Sequence, residues 1–110
     1  MNWKDALAHT VSLLKPLRAE QAGVAKGFHA LHKAALAEGA LSTKHKELIA
    51  LALGIIQQCD DCIGFHVQAA IRAGATRDEV AEVVNVCVLM GGGPAYMYVA
   101  KAMEAYDQLG

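Results

Sequence analysis

Apolar residues recur three and four positions apart along almost the whole chain, and no sustained alternation of period two interrupts them. That spacing gathers side chains on one face of a 3.6-residue helix and denies a pleated strand a consistent buried face. The expected fold class is therefore all-α, a single-domain bundle of about six helices over residues 1–110. Trp3, Leu7, Thr10 and Leu14 mark a first stripe, which Pro16 is expected to close because its ring disfavours helical geometry in the preceding residue. Val24, Phe28, Leu31 and Ala35 mark a second helix, predicted to stop at Gly39 in a left-handed cap. Ser42 or Thr43 can accept the free amides that open a third. Leu48, Ile49, Leu51, Ala52, Leu53, Ile55 and Ile56 make that helix apolar around most of its circumference, the pattern of a helix inside an assembly. A fourth helix is expected from near Cys59–Asp61 to Gly74, with acidic residues in its first turn. Thr76 and Glu79 form a capping box that opens a fifth, carrying Val80, Val83, Val84 and Cys87. Gly91-Gly92-Gly93 is predicted to break it, and Pro94 to open a sixth with Ala95, Val99, Ala102, Tyr106 and Leu109.

A chain of 110 residues builds one core. Its 55% hydrophobic content exceeds the usual share of about 45–50%. A monomer of this size hides only about two thirds of its extended-chain surface, so the excess points to surface covered by other subunits. Ten basic against eleven acidic side chains leave a net charge of -1 and no broad positive field, which argues against a nucleic-acid partner. Met1 to Thr10 carries Lys4 and Asp5 and lacks the apolar stretch of a secretory signal, so a cytoplasmic location is expected. The charge-free run Val83 to Ala100 is long enough to span a bilayer, but Asn85 and Gly91-Gly92-Gly93-Pro94 interrupt it, and no membrane association is expected. Three cysteines, an odd number in a reducing compartment, need an explanation other than structural disulfides.

Cys59-Asp60-Asp61-Cys62-Ile63-Gly64-Phe65-His66 places two thiols three apart and an imidazole four residues after the second. On a helix these share one face. Helical rise and angular offset put the two cysteine α-carbons about 5 Å apart, within disulfide range, so the pair can close reversibly. Helical side chains lean toward the N-terminus, so His66 reaches back over the turn of Cys62 and can share its thiol proton, which makes Cys62 the better nucleophile. Lowering a thiol pKa from about 8.5 to about 6.5 raises the thiolate fraction near neutral pH by somewhat over tenfold, while intrinsic nucleophilicity falls. A peroxide substrate also needs a proton for its departing oxygen, and a positioned acid contributes about a hundredfold or more. Glu47 and His66 are the candidates for that relay, brought together if a tight turn near Gln57 and Gln58 folds the third helix against the fourth.

Alone, Glu47 would read as a dipole-complementing charge in a helix's first turn, solvated beside Lys44 and Lys46. Cys87, on the stripe with Val80, Val83 and Val84, reads as packing. His29 and His32, three apart on the second helix, read as a solvated face rather than a metal site, and His9 and His45 carry no distinctive signal. A tetrahedral zinc site from Cys59, Cys62, His66 and Cys87 would lack the second paired motif that structural zinc usually recruits. A thioredoxin-like reading fails for want of a strand-helix-strand context, and covalent haem fails because Ile63 follows Cys62.

Glu47, then eleven residues, then Cys59-x-x-Cys62-x-x-x-His66 resembles the signature of the alkyl hydroperoxidase D and carboxymuconolactone decarboxylase family. Glu47-Leu48-Ile49-Ala50-Leu51-Ala52, Ala73-Gly74-Ala75-Thr76-Arg77-Asp78-Glu79-Val80 and Met90-Gly91-Gly92-Gly93-Pro94-Ala95-Tyr96 are similar to its core, and the likeness covers about residues 20–108. The resemblance implies an all-helical, obligate homo-oligomer, commonly a trimer or hexamer. It implies Cys62 as peroxidatic cysteine, Cys59 as resolving partner, and Glu47 with His66 as proton relay. The implied partners are a small-molecule hydroperoxide and an external dithiol or lipoylated protein as reductant; no cofactor or metal is implied. One residue departs from the pattern: the best characterised hydroperoxidases carry histidine just before the second cysteine, where this chain has Asp61, whose charge opposes thiolate formation. Two alternatives stay open, a lactone decarboxylase using His66 without redox turnover and a non-catalytic zinc-binding or redox-sensing module.

Overall fold

The computed structural model describes residues 1–110 and contains five helices and no strand: α1 (Trp3–Glu20), α2 (Ala22–Leu36), α3 (Thr43–Ile56), α4 (Asp60–Arg72) and α5 (Arg77–Leu109). The all-helical expectation holds, with one helix fewer than anticipated. The expected fifth and sixth helices are one kinked element. Gly92 alone leaves helical geometry, at φ 66° and ψ -148°, a region open to glycine, so the chain is deflected there without a separating turn. By length and composition α5 could cross a membrane. Here its Val80, Val84, Cys87, Ala102 and Ala105 belong to the core.

Two other boundaries differ from expectation. Pro16 lies inside α1 and does not close it. Residues 11–20 are all exposed, so the carbonyl that Pro16 cannot satisfy faces water instead of a packed interior. α1 ends instead at Glu20, and only Gln21, at φ -122° and ψ 49°, separates it from α2. The left-handed cap expected at Gly39 is also absent: α2 ends at Leu36, followed by Ala37 in extended conformation. Side chains from the next helix take over its C-terminal carbonyls, with Thr43 Oγ1 donating to the Leu36 oxygen at 2.8 Å and Lys46 Nζ to the Ala37 oxygen at 2.7 Å.

Start signals fare better. Ser42 caps α3 by accepting from the His45 amide at 3.1 Å. The Thr76–Glu79 capping box is complete in both directions. Gly74, at φ 95°, closes α4 in a left-handed turn.

The tight turn after α3 has Gln58 at φ 56° and folds α4 back along α3, and α5 packs against both. Leu51, Ile55, Ile63, Val67 and Val80 are fully buried between them. α1 closes one side of this unit through Trp3 and Leu7, seated over Gly64 of α4. Trp3 Nε1 donates to Glu104 Oε1 and its amide to Gln108 Oε1, each at 2.7 Å, which ties the start of α1 to the end of α5. α2 contributes no buried residue, and its expected stripe of Val24, Phe28 and Leu31 meets no core: all three are about two-thirds exposed or more.

Candidate active site

The site forms where the α3–α4 turn starts α4. Cys59 is the N-cap of α4, in extended conformation, and its Sγ accepts the Cys62 amide at 3.2 Å. Cysteine here does the work usually given to serine or aspartate, and places its sulfur against the unpaired amides of the first turn. Cys59 and Cys62 form a disulfide, their α-carbons 5.2 Å apart, close to the spacing anticipated from helical geometry. One helical turn further, His66 Nδ1 donates to Glu47 Oε2 at 2.8 Å. The predicted meeting of α3 and α4 thus brings these two residues together.

Glu47 is not the solvated first-turn charge its sequence context suggested. It sits past the first turn of α3 and is only 4% exposed. A carboxylate removed from water needs a donor, and His66 supplies it. The bond at Nδ1 leaves Nε2 as the free ring nitrogen of His66 for proton exchange.

Both acids between the cysteines are engaged by other helices. Lys101 Nζ, from α5, donates to Asp60 at 3.3 Å while lying 4.5 Å from the centre of the Tyr98 ring. Thr10, from α1, donates through Oγ1 to Asp61 Oδ1 at 2.7 Å. Cys87 is buried away from this chemistry; its thiol approaches the Ala52 carbonyl at 3.8 Å, and burial pushes its pKa up. That agrees with the packing role expected for it. It also removes the fourth ligand of the zinc alternative, and no three His, Cys, Asp or Glu side chains converge in metal-binding geometry.

An open cleft of about 850 Å³ reaches Cys62 and His66, and Cys59 does not line it. Phe65 and Asp61 of α4 form its floor with them, while Leu14 and Leu17 of α1 and Val24 and Phe28 of α2 supply apolar wall. His32 of α2 also lines the cleft, its ring nearly parallel to that of His66 at 13° with centroids 6.0 Å apart. His32 is exposed, as the solvated-face reading expected, but its contact with the His66 ring was not foreseen. The available signal was its spacing of four from Phe28, whose ring lies 6.4 Å away.

Comparison with known proteins gives a consistent grouping. The profile of the carboxymuconolactone decarboxylase family matches residues 22–105. An uncharacterized protein from Cupriavidus necator is 44% identical over 89 residues, covering 81% of this chain and 79% of that one. Among solved structures, the apo form of a carboxymuconolactone decarboxylase family protein from Legionella pneumophila is 41% identical, with a TM-score of 0.95 over 97% of this chain and 96% of that one. A family protein from Thermotoga maritima, described in connection with the antioxidative response, is 25% identical with a TM-score of 0.83, over 94% and 89% of the two chains.

Proposed function

The chain belongs to the carboxymuconolactone decarboxylase family, and from that premise we propose that it is a dithiol–disulfide oxidoreductase that reduces hydroperoxides. The observation that carries the reading is the conjunction, at the start of α4, of the bonded Cys59–Cys62 pair with a His66 held by a buried Glu47. A pair kept for packing would not need a buried carboxylate next to it, and a desolvated charge of that kind is costly unless it has a task.

In the reduced protein His66 accepts the Cys62 proton, and Glu47 stabilises the imidazolium that results. The Cys62 thiolate attacks one peroxide oxygen; the O–O bond breaks, and the departing alkoxide takes the proton back from His66 and leaves as an alcohol. Cys62 is then a sulfenic acid. The Cys59 sulfur attacks it, an S–S bond forms and water leaves, which gives the disulfide state. An external dithiol, free or carried on a lipoylated protein, returns two electrons and two protons by thiol–disulfide exchange. Cys62 takes the nucleophile's role because it lines the cleft and Cys59 does not. The helix N-terminus favours thiolate at both positions. The setting is a cytoplasmic homo-oligomer.

Mass spectrometry of the reduced protein before and after one equivalent of hydroperoxide tests this. The expected product is a Cys59–Cys62 disulfide, with loss of two hydrogens. Cys62→Ser should abolish peroxide consumption, and Cys59→Ser should allow one turnover and stop at an oxidised Cys62. Equal consumption by wild type and Cys62→Ser defeats the proposal.

A further inference from the structure

We propose that His32 is a positioning residue for the proton relay, acting through the face of the His66 ring; the role rests on the oxidoreductase reading above. The bond from His66 Nδ1 to Glu47 anchors one edge of the imidazole. A single hydrogen bond still lets the ring plane rock about the axis through it, and that rocking swings the opposite nitrogen, the one left to exchange a proton with the nucleophile. The His32 ring lies nearly parallel to His66, at 13° and 6.0 Å, and opposes this motion. Phe28, one turn earlier on α2, is tilted at 47° and 6.4 Å against His32 and backs it in turn. Phe28, His32 and His66 thus form a row of rings that crosses from α2 to α4 and ends on the buried carboxylate of Glu47.

The placement is notable because packing does not demand it. α2 buries no residue, yet it brings one flat ring alongside a face of His66, where the edge-on bond to Glu47 gives no support. Aromatic pairs in this range of separation and tilt contribute energies equivalent to about a two- to tenfold change in an equilibrium. Loss of the His32 ring should therefore change proton transfer by that factor and leave the fold intact.

The test uses Cys59→Ser protein, so that Cys62 is the accessible thiol, and follows its alkylation by iodoacetamide across pH. His32→Ala should slow alkylation near neutral pH by about two- to tenfold, shift the midpoint upward, and converge with the parent at high pH, where no relay is needed. His32→Phe, which keeps the flat face and removes the nitrogens, should recover most of the rate. The titratable and charged groups sharing the cleft, Arg18, His29, Asp61 and Arg72, are common to every variant. Superimposable profiles for His32→Ala and its parent overturn the proposal. So does a His32→Phe variant as slow as His32→Ala beside a His32→Gln variant that is fast, because the nitrogens and not the stack would then matter. If reduced wild type consumes no hydroperoxide, the oxidoreductase reading falls, while the alkylation profiles still decide whether His32 sets His66.

Discussion

Glu47 shows how burial alone changes what a charge means. Its neighbours Lys44 and Lys46 make it look like one of a solvated cluster, yet its side chain is folded under α4 and its hydrogen-bond partner is His66, nineteen residues on. Replacing it with glutamine keeps the volume and removes the negative charge that favours the imidazolium. Glu47→Gln should slow Cys62 alkylation by about tenfold near neutral pH, as a rise of one pKa unit would, and much less at high pH where the thiol ionises unaided. Equal slowing at every pH would assign Glu47 to structure. Asp61 is a milder case. Its carboxylate accepts from Thr10 and lines the cleft beside Cys62. Two unit charges about 4 Å apart in water interact by about 1 kcal/mol, so Asp61→Asn should accelerate neutral-pH alkylation by at most about fivefold. No acceleration in a profile measured at low salt would show that this residue is not a brake. The spacing of Cys59, Cys62 and His66 was legible in the sequence because it is local to the start of one helix, whereas Glu47 was singled out only through the expected α3–α4 turn and the family resemblance. The role of His32 was not legible, because its partner lies on another helix and no local rule links the two.

Among the elements, helix starts were read better than helix ends. Starts depend on side chains reaching amides two or three residues on, as Ser42 and Thr76 do, and that chemistry is written locally. The end of α2 depends on Thr43 and Lys46 from the next helix, and α1 runs through Pro16 only because no neighbour crowds it there; neither fact is local. The site inherits its precision from the α3–α4 approach at Gly54. A β-carbon there would meet Cys62 Cβ at 3.0 Å and the backbone of Cys62 and Ile63 at 3.5 Å. Gly54→Ala should therefore push the start of α4 outward, cost about 1–3 kcal/mol in urea unfolding, and lower Cys62 reactivity. Unchanged reactivity would show that the approach sets stability only.

At the other end of α3, Lys44 Nζ donates to Glu79 Oε2 at 2.8 Å, joining the start of α3 to the start of α5. This contact and the Thr76 amide hold the Glu79 carboxyl down at about 2, against an ordinary 4.5. Because the folded pKa is the lower one, the unfolded chain binds the extra proton between those values. The stabilisation is present above pH 4.5 and is lost as pH falls toward 2. Glu79→Gln should flatten the fall in unfolding midpoint across that window relative to wild type, and parallel curves would reject the linkage.

For the molecule as a whole, the question is what covers its surface. The isolated chain exposes 6877 Å², whereas a folded monomer of 11.6 kDa is expected to expose about 5,800 Å². The excess of about 1,000 Å² exceeds the share of about 800 Å² that one partner contributes to a standard protein interface. Large apolar side chains are prominent among what is exposed. Val24, Phe28 and Leu31 lie on α2, while Leu89, Met90, Tyr96 and Met97 flank the kink of α5, and each is 60% exposed or more. Aqueous exposure of these patches is unfavourable at about 25 cal/mol per Å² of apolar area, and identical chains offer the simplest cover because each patch recurs on every copy. Sedimentation equilibrium should therefore return at least twice the single-chain 11.6 kDa, in whole multiples, and the thermal midpoint should rise with protein concentration. Leu89→Glu, at the most exposed of these positions, should lower the assembled mass. It should leave the helical circular dichroism of the chain in place, because Leu89 is 79% exposed and makes no part of the core. A species of single-chain mass at micromolar concentration, with a midpoint independent of dilution, would mean that the chain tolerates its exposed apolar surface unaided.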